Sequence, residues 1–166
     1  MAPLIQPENS PLNFPETFTS SSPLETFNLG KRIACHLKKG SIVALIGPLG
    51  SGKTCLVKGI AARLNIHEEV TSPTYSIITE YEGTLCNGEF TRIYHIDAFR
   101  LRGNDDFSAI GGEEIVYGEG ISLIEWSDRI PDFIPSHALR IEIEITGTEE
   151  RLFRINRGKI DPLEII

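Results

Sequence analysis

The feature that most constrains the fold of this chain is a glycine-rich octapeptide between a predicted strand and a predicted helix. Residues 47–54 read GPLGSGKT and match the pattern G-x-x-x-x-G-K-[ST]. The short β-branched run 41–46 before it is typical of a buried parallel strand, and 54–64 after it reads as a helix. Strand, glycine-rich loop and helix in this order make a P-loop, so the sequence predicts an α/β fold with a parallel core.

The residue types of the octapeptide suit a polyphosphate ligand. Glycine leaves room for backbone N–H groups to converge on phosphate oxygens, and the start of the following helix adds positive potential. We expect Lys53 to supply charge to the outer phosphates and Thr54 to offer its hydroxyl to Mg²⁺. The sequence therefore predicts a site for ATP or ADP with Mg²⁺, and the expected nucleotide-binding residues are Gly47, Pro48, Leu49, Gly50, Ser51, Gly52, Lys53 and Thr54.

Two acidic residues follow later apolar runs. Asp97 ends RIYHID and Glu125 ends ISLIE, as in a Walker B pattern. Because ligands gather at the carboxyl ends of strands in open α/β sheets, both acids are expected beside the P-loop. One would hold Mg²⁺ while the other orients the attacking water, although either acid alone would also suit a simple turn. Lys53, Asp97 and Glu125 are thus the candidate catalytic residues, and Thr54, Asp97 and Glu125 are the candidate metal ligands.

The N-terminal segment differs from the remainder. Residues 1–21 contain four prolines among Ser, Thr and Asn, and repeated prolines disfavour helix and central strand alike. We expect a flexible or loosely docked tail there and one domain over 22–166. A helix is predicted to begin after Ser22, which opens a capping box, and to end at Gly40.

Further strands are predicted at 75–81, 91–97 and 121–125. The segment 138–146 alternates apolar and charged residues, as a strand with one solvent-exposed face does, and 151–156 is its expected hairpin partner. The predicted fold class is a P-loop NTPase-like three-layer α/β sandwich, with a mixed sheet that has a parallel core and antiparallel edge strands.

Composition narrows the possible partners and compartment. The formal net charge of −7 disfavours direct nucleic-acid binding, because phosphate contacts need a basic surface. The three cysteines (Cys35, Cys55 and Cys86) lack C-x-x-C spacing, which indicates reduced thiols in a cytoplasmic protein rather than a disulfide framework or a zinc site. No apolar run reaches the roughly 18 to 20 residues of a membrane span, so no membrane association is expected.

Some residues carry weaker predictions. The hydroxyl-rich loop 71–74 could be a switch near the terminal phosphate or only a turn. His95 is interpreted as structural, and Trp126 as either a packing residue or a partner contact. Three arginines are possible phosphate or partner contacts, with none favoured: Arg100, Arg102 and Arg129.

The order and spacing of these segments resemble the TsaE family, also called YjeE, small bacterial ATPases of tRNA threonylcarbamoyladenosine (t6A) synthesis. The resemblance spans about residues 22–135 and includes GPLGSGKT, SPTYSII, YHIDAFRL and LIEWSDRIPDFIP. It implies that Thr54 and Glu125 serve in magnesium binding and Asp97 in magnesium binding or catalysis. It also implies that the chain associates with TsaD and TsaB, that ATP hydrolysis supports repeated turnover, and that tRNA is held mainly by those partners.

The sequence departs from the family pattern at three positions. Pro48 replaces the usual Asp of G-D-L-G, Phe99 replaces the usual Tyr of H-x-D-x-Y-R, and Cys55 replaces a common second Thr. Pro48 occupies a variable position of the general motif, so phosphate binding should survive, while any contact made by the Asp would be lost.

Other P-loop classes remain as alternatives. A small kinase acting on a metabolite or nucleotide is the principal one, although no arginine-rich lid is evident. A GTP switch is disfavoured because neither N-K-x-D nor a D-x-x-G after the P-loop is present. A further alternative is a binding module that needs a bound nucleotide but does not hydrolyse it. Such a module would keep its function in a variant that binds ATP without hydrolysing it.

Overall fold

A seven-stranded mixed sheet forms the centre of the computed structural model, which describes residues 10–72 and 76–158. The strands are β1 Glu16–Ser20, β2 Ile42–Ile46, β3 Ile78–Thr84, β4 Phe90–Asp97, β5 Ile121–Glu125, β6 Leu139–Ile145 and β7 Arg151–Arg157. They lie in the order β1-β7-β6-β2-β5-β4-β3. Strands β6, β2, β5 and β4 form a parallel core, whereas β1 and β7 at one edge and β3 at the other pair antiparallel. The predicted parallel core with antiparallel edge strands is confirmed.

Helices cover both faces of the sheet. They are α1 Pro23–Ala34, α2 Lys53–Arg63, α3 Asn104–Ala109 and α4 Gly112–Val116, with 3₁₀ turns at Ser127–Arg129 and Pro131–Phe133. On β2, Val43 and Leu45 are buried in the core shared with α1 and α2, while Ile42 and Ala44 are buried in the opposite core with α3 and α4. Burial on both faces explains the uninterrupted apolar run of this strand. The three-layer prediction is therefore confirmed, and no helix among the described residues is long and apolar enough to cross a membrane.

The first helix begins as predicted but is shorter. The Ser22 side chain accepts the Glu25 N–H at 3.2 Å, which caps α1. The helix ends at Ala34 rather than at Gly40, because the next N–H groups bond three residues back instead of four: Cys35 to Arg32 O, His36 to Ile33 O and Leu37 to Ala34 O. Strand β3 is also displaced, since it begins at Ile78 rather than at the predicted Tyr75, which lies outside the described residues.

The prediction of a flexible tail over residues 1–21 is wrong for its second half. Glu16–Ser20 forms the edge strand β1, which pairs antiparallel with β7. Leu12 is 5% exposed and belongs to the core under α1 and α2. The prolines precede the strand, and an edge strand can bond on one side only, so proline upstream does not oppose it. Residues 1–9 lie outside the described part, and the domain therefore includes β1.

Strand β1 is held partly by one aromatic side chain. Phe18 packs against the core beside Phe153, with ring centroids 6.5 Å apart, whereas the neighbouring Thr17 is exposed. Phe18→Ala should lower the free energy of unfolding by about 1–2 kcal/mol, less than for a fully buried ring. Urea unfolding measures this, and Thr17→Ala on the other face should change stability by no more than about 0.5 kcal/mol. An unchanged midpoint for Phe18→Ala would mean that β1 contributes nothing to the fold.

Candidate phosphate-binding and catalytic site

The P-loop joins the end of β2 to the start of α2, and the backbone favours glycine at both of its defining positions. Gly52 has a φ of 102° and precedes α2 with no side-chain cap, so the first N–H groups of the helix remain available to an external acceptor. A Cβ on Gly47 would lie 2.7 Å from Ser51 Oγ and 3.0 Å from the Ile143 carbonyl oxygen. The loop is therefore a backbone cradle with donors at the helix start, which is the geometry that binds an anion.

Lys53 lies across the opening of this cradle. Its side chain is 5% exposed, and its ammonium donates to the carbonyl oxygens of Gly47 at 2.6 Å and Pro48 at 2.9 Å. It also lies 4.2 Å from the ring centroid of Trp126. The Pro48 carbonyl accepts the Ser51 N–H at 3.1 Å as well. Both contacts use the backbone carbonyl of Pro48, so they do not depend on which side chain is present at this position.

Two effects act in opposite directions on the pKa of Lys53. Burial lowers the pKa of Lys53 from its ordinary value, and the carboxylates of Glu125, Asp97 and Asp128 counteract part of that fall in order of decreasing effect. Acidic groups at the ends of β4 and β5 and in the turn after β5 therefore favour the charged form of this ammonium.

Glu125 connects the P-loop to the sheet. Strand β5 pairs parallel with β2, and Leu45 lies opposite Glu125 in the register. The Thr54 hydroxyl donates to Glu125 Oε1 at 3.0 Å, with Oε2 at 3.3 Å. The Glu125 side chain is only 3% exposed, and fully buried His95 holds Oε1 through Nε2 at 2.9 Å. A buried carboxylate is thus fixed by one donor from the P-loop helix and one from β4.

The pair formed by Thr54 and Glu125 fits the requirements of Mg²⁺. Magnesium takes oxygen ligands and usually keeps several waters, so one or two protein side chains beside a phosphate suffice. Thr54 and Glu125 offer a hydroxyl and a carboxylate 3.0 Å apart beside the start of α2. The described residues contain no group of three or more His, Cys, Asp or Glu side chains arranged for a metal.

Asp97 lies beside Glu125 but makes different contacts. The two residues are paired in the register of β4 and β5. Asp97 Oδ2 accepts the Ser72 hydroxyl at 3.0 Å, and Oδ1 accepts the Phe99 N–H at 3.0 Å. Ser72 therefore attaches the hydroxyl-rich loop to this strand end, while Pro73–Tyr75 fall outside the described residues. The two acids are neighbours, but only Glu125 is hydrogen-bonded to the P-loop.

Aromatic and basic residues surround this cluster. The Phe99 and Trp126 rings are 4.9 Å apart, and the Arg129 guanidinium lies 5.6 Å from the Phe99 centroid. Arg102 forms an exposed ion pair with Asp106. Arg100 and Arg129 are also exposed, and Arg129 is the arginine that lies over Phe99, whose ring contacts Trp126.

Two residues at the site were missed by sequence reasoning. His95, interpreted as only structural, holds Glu125, and Arg151 at the start of β7 donates to the Gly50 carbonyl at 3.1 Å. His95 carried a usable signal, because it precedes Asp97 by two residues and therefore shares its face of the strand. No sequence signal pointed to Arg151, because this residue reaches the P-loop only through the pairing of β7 with β6.

Two open cavities flank the P-loop. One of about 300 Å³ is lined by residues that include Ser22, Thr26, Gly50, Gly52, Cys55 and Arg151. The other, of about 350 Å³, is lined by residues that include Gly47, Pro48, Trp126, Asp128, Ile143 and Arg154. The loop is therefore accessible from both sides, and a ligand larger than its phosphates has room to extend.

The sequence and the fold of this chain are similar to those of one family of proteins. The family model described as "Threonylcarbamoyl adenosine biosynthesis protein TsaE" matches residues 20–153. The chain is 39% identical to the tRNA threonylcarbamoyladenosine biosynthesis protein TsaE of Treponema pallidum, over 80% of this chain and 93% of that protein. It is 37% identical to the TsaE protein of Bacillus subtilis, over 78% of each. The crystal structure of Bacillus YdiB superimposes with a TM-score of 0.69 at 31% identity, covering 87% of this chain and 86% of YdiB.

Proposed function

This chain belongs to the TsaE family of threonylcarbamoyl adenosine biosynthesis proteins, and on that premise we propose that it is a Mg²⁺-dependent ATPase that supports turnover of the t6A-forming complex on tRNA. The observation that carries this proposal is the contact between Thr54 and Glu125. It joins a phosphate-binding loop to a buried strand-end carboxylate, which is the combination that hydrolysis of a nucleotide needs.

The phosphates of ATP are bound by residues 47–54. The N–H groups at the start of α2 bind the phosphate oxygens, and the positive end of the helix favours the anion. Lys53 neutralises charge on the outer phosphates, because its ammonium forms charge-assisted hydrogen bonds with phosphate oxygens that are stronger than neutral ones. These residues position the substrate and stabilise the charge that shifts during phosphoryl transfer.

The metal is assigned to Thr54 and Glu125. Mg²⁺ bound there would neutralise the phosphate oxygens and orient the terminal phosphate. Glu125 keeps its orientation through His95, so this histidine acts as a positioning residue. Asp97 lies one strand away and orients the attacking water, directly or through the Ser72 hydroxyl that it already binds. The hydrogen bond between Thr54 and Glu125 supports this division of roles, because the hydrogen bonds of Asp97 in the described part of the chain go to Ser72 and Phe99 instead.

The proposed partners are TsaD- and TsaB-type proteins, with tRNA contacted only indirectly. The net charge of −7 supports this arrangement, because an acidic chain gains little from a phosphate backbone. Leu49 in the P-loop is 84% exposed and Phe99 is 48% exposed, so apolar side chains flank the site where a partner could cover it.

The direct test is phosphate release from ATP, measured with the chain alone and then with purified TsaD, TsaB and tRNA. We expect slow turnover in isolation and strong stimulation by the partners. Robust isolated turnover that the partners leave unchanged would contradict the proposal. Transfer of the phosphoryl group to an added metabolite or nucleotide instead of water would favour the kinase alternative.

Loss of the His95 contact should affect catalysis more than binding. His95→Ala removes a buried donor to Glu125, so we expect the stimulated kcat to fall roughly tenfold with the ATP Kd nearly unchanged. His95→Gln keeps an N–H donor and should recover part of the rate. Equal rates for His95→Ala and the wild type would show that Glu125 needs no positioning partner, and the thermal midpoint of each variant controls for unfolding.

ATP affinity should depend on pH through Lys53. Burial lowers the pKa of this ammonium below the 10.5 of an ordinary lysine, so its charge is lost earlier as pH rises. Affinity should therefore be constant near neutral pH and decrease at a pH below 10.5. Calorimetric titration over roughly pH 7 to 11 measures this, and the decrease should be absent in Lys53→Ala. A wild-type affinity independent of pH across the range would contradict the assignment.

A further inference from the structure

A pair of thiols lies far from the P-loop. Cys35 follows the last residue of α1, and Cys86 lies in the turn between β3 and β4, 51 residues later in the chain. The Cys86 thiol donates to Cys35 Sγ with the two sulfur atoms 3.5 Å apart. Such proximity is not implied by the sequence, and none of the proposed ATPase steps uses it.

A guanidinium completes the cluster. Arg63, the last residue of α2, donates its Nε–H to Cys35 Sγ at 3.4 Å. The Cys35 sulfur thus accepts two hydrogen bonds, one from a cation, and such surroundings favour attack by sulfur on an electrophile. Cys86 is exposed and Cys35 is partly exposed, so a small solute can reach the pair.

The third cysteine is a contrast within the same chain. The Cys55 thiol donates to the Pro23 carbonyl at 3.3 Å rather than to a second sulfur. Neither Cys35 nor Cys86 is hydrogen-bonded to it. Oxidation should therefore be selective for the pair.

We propose that Cys35 and Cys86 are a dithiol modification site that a peroxide oxidises to an intramolecular disulfide. The Cys35 sulfur attacks one peroxide oxygen, the O–O bond breaks, and the departing oxygen takes up the Cys35 proton and leaves as water. The Cys86 sulfur then attacks the resulting sulfenic acid, the S–O bond breaks, and a second water leaves with the Cys86 proton. Each sulfur loses one electron and the peroxide gains two, so the step is balanced.

The disulfide would attach the C-terminal end of α1 to the β3–β4 turn beside the end of α2. The P-loop lies at the other end of α2, about 16 Å away for a helix of 11 residues. Closing a loop between residues 51 positions apart restricts the unfolded chain, so oxidation should stabilise the fold. ATP affinity should be little affected, because no residue of the phosphate site takes part.

The test is oxidation of the purified full chain with equimolar hydrogen peroxide. We expect the three titratable thiols to fall to one, with the mass of a single chain lower by two hydrogen atoms and a peptide that links Cys35 to Cys86. The thermal midpoint should rise by roughly 5–10 °C and return on reduction. Cys55→Ser should oxidise like the wild type, whereas Cys35→Ser and Cys86→Ser should form no internal disulfide.

The role of Arg63 is measured separately. Arg63→Gln should slow disulfide formation roughly threefold to tenfold without preventing it, because the cation on Cys35 is lost. Retention of all three thiols by the wild type, a disulfide that includes Cys55, or a disulfide between two chains would each overturn the proposal. The result does not depend on ATPase activity, so it is independent of the proposed function.

Discussion

Glu125→Gln is expected to reduce partner-stimulated ATP turnover by roughly 10²- to 10³-fold while ATP still binds. Glutamine keeps the size of the side chain and one acceptor oxygen, so Thr54 and His95 can remain near it. The negative charge is lost, however, and with it the contribution to Mg²⁺ and to the charge balance of the transition state. Phosphate release under saturating ATP measures the effect, and calorimetry of ATP binding measures the affinity.

A matched variant distinguishes the role of Glu125 from the effect of removing one negative charge elsewhere on the protein. Glu82 on β3 is exposed, and Glu82→Gln changes the net charge by the same amount. It should leave turnover and affinity unchanged. If Glu125→Gln retained most of the wild-type turnover, Asp97 or another group would have to carry the role that we assign to Glu125.

Lys53→Ala is expected to weaken ATP binding by roughly 10- to 100-fold and to abolish measurable turnover. The ammonium is the charged donor of the P-loop, and no other lysine of α2 is buried at the cradle. The fold should survive, because the Gly47 and Pro48 carbonyls that lose their donor lie at an open loop that water can reach. Fluorescent-nucleotide titration and thermal unfolding measure the two consequences.

Lys58 provides the control for this change. It lies on the same helix, but its side chain is exposed. Lys58→Ala should therefore bind and hydrolyse ATP as the wild type does. Normal ATP hydrolysis by Lys53→Ala within the partner complex would exclude the P-loop as the catalytic site.

The central part of the fold was predictable because its determinants are local. Strand β2, the glycine-rich loop and α2 are consecutive, and each has its own pattern of apolar residues, glycine or helix formers. The predicted bounds of the strand that ends at Glu125 equal the observed ones, because a short apolar run that ends in an acidic residue defines where such a strand begins and ends.

The errors arose where distant parts of the chain meet. Strand β1 forms because it pairs with the open edge of β7. The proline-rich sequence before β1 gives no local sign of this pairing. His95 acquires its role from Glu125, 30 residues later, and Arg151 reaches Gly50 across 101 residues. Long-range pairing of this kind cannot be read from local periodicity, and the contact between Cys35 and Cys86 is a further example.

The measurement that tests the central claim most directly is the number of t6A nucleosides formed per complex, with TsaD, TsaB, tRNA, an activated threonylcarbamoyl donor and ATP supplied in excess. With the wild-type chain we expect many modified tRNA molecules per complex and continuous phosphate release. With Glu125→Gln we expect formation to stop after about one turnover per complex, because ATP binds without being hydrolysed. Sustained t6A formation by Glu125→Gln at the wild-type rate would contradict a role for ATP hydrolysis by this chain in turnover.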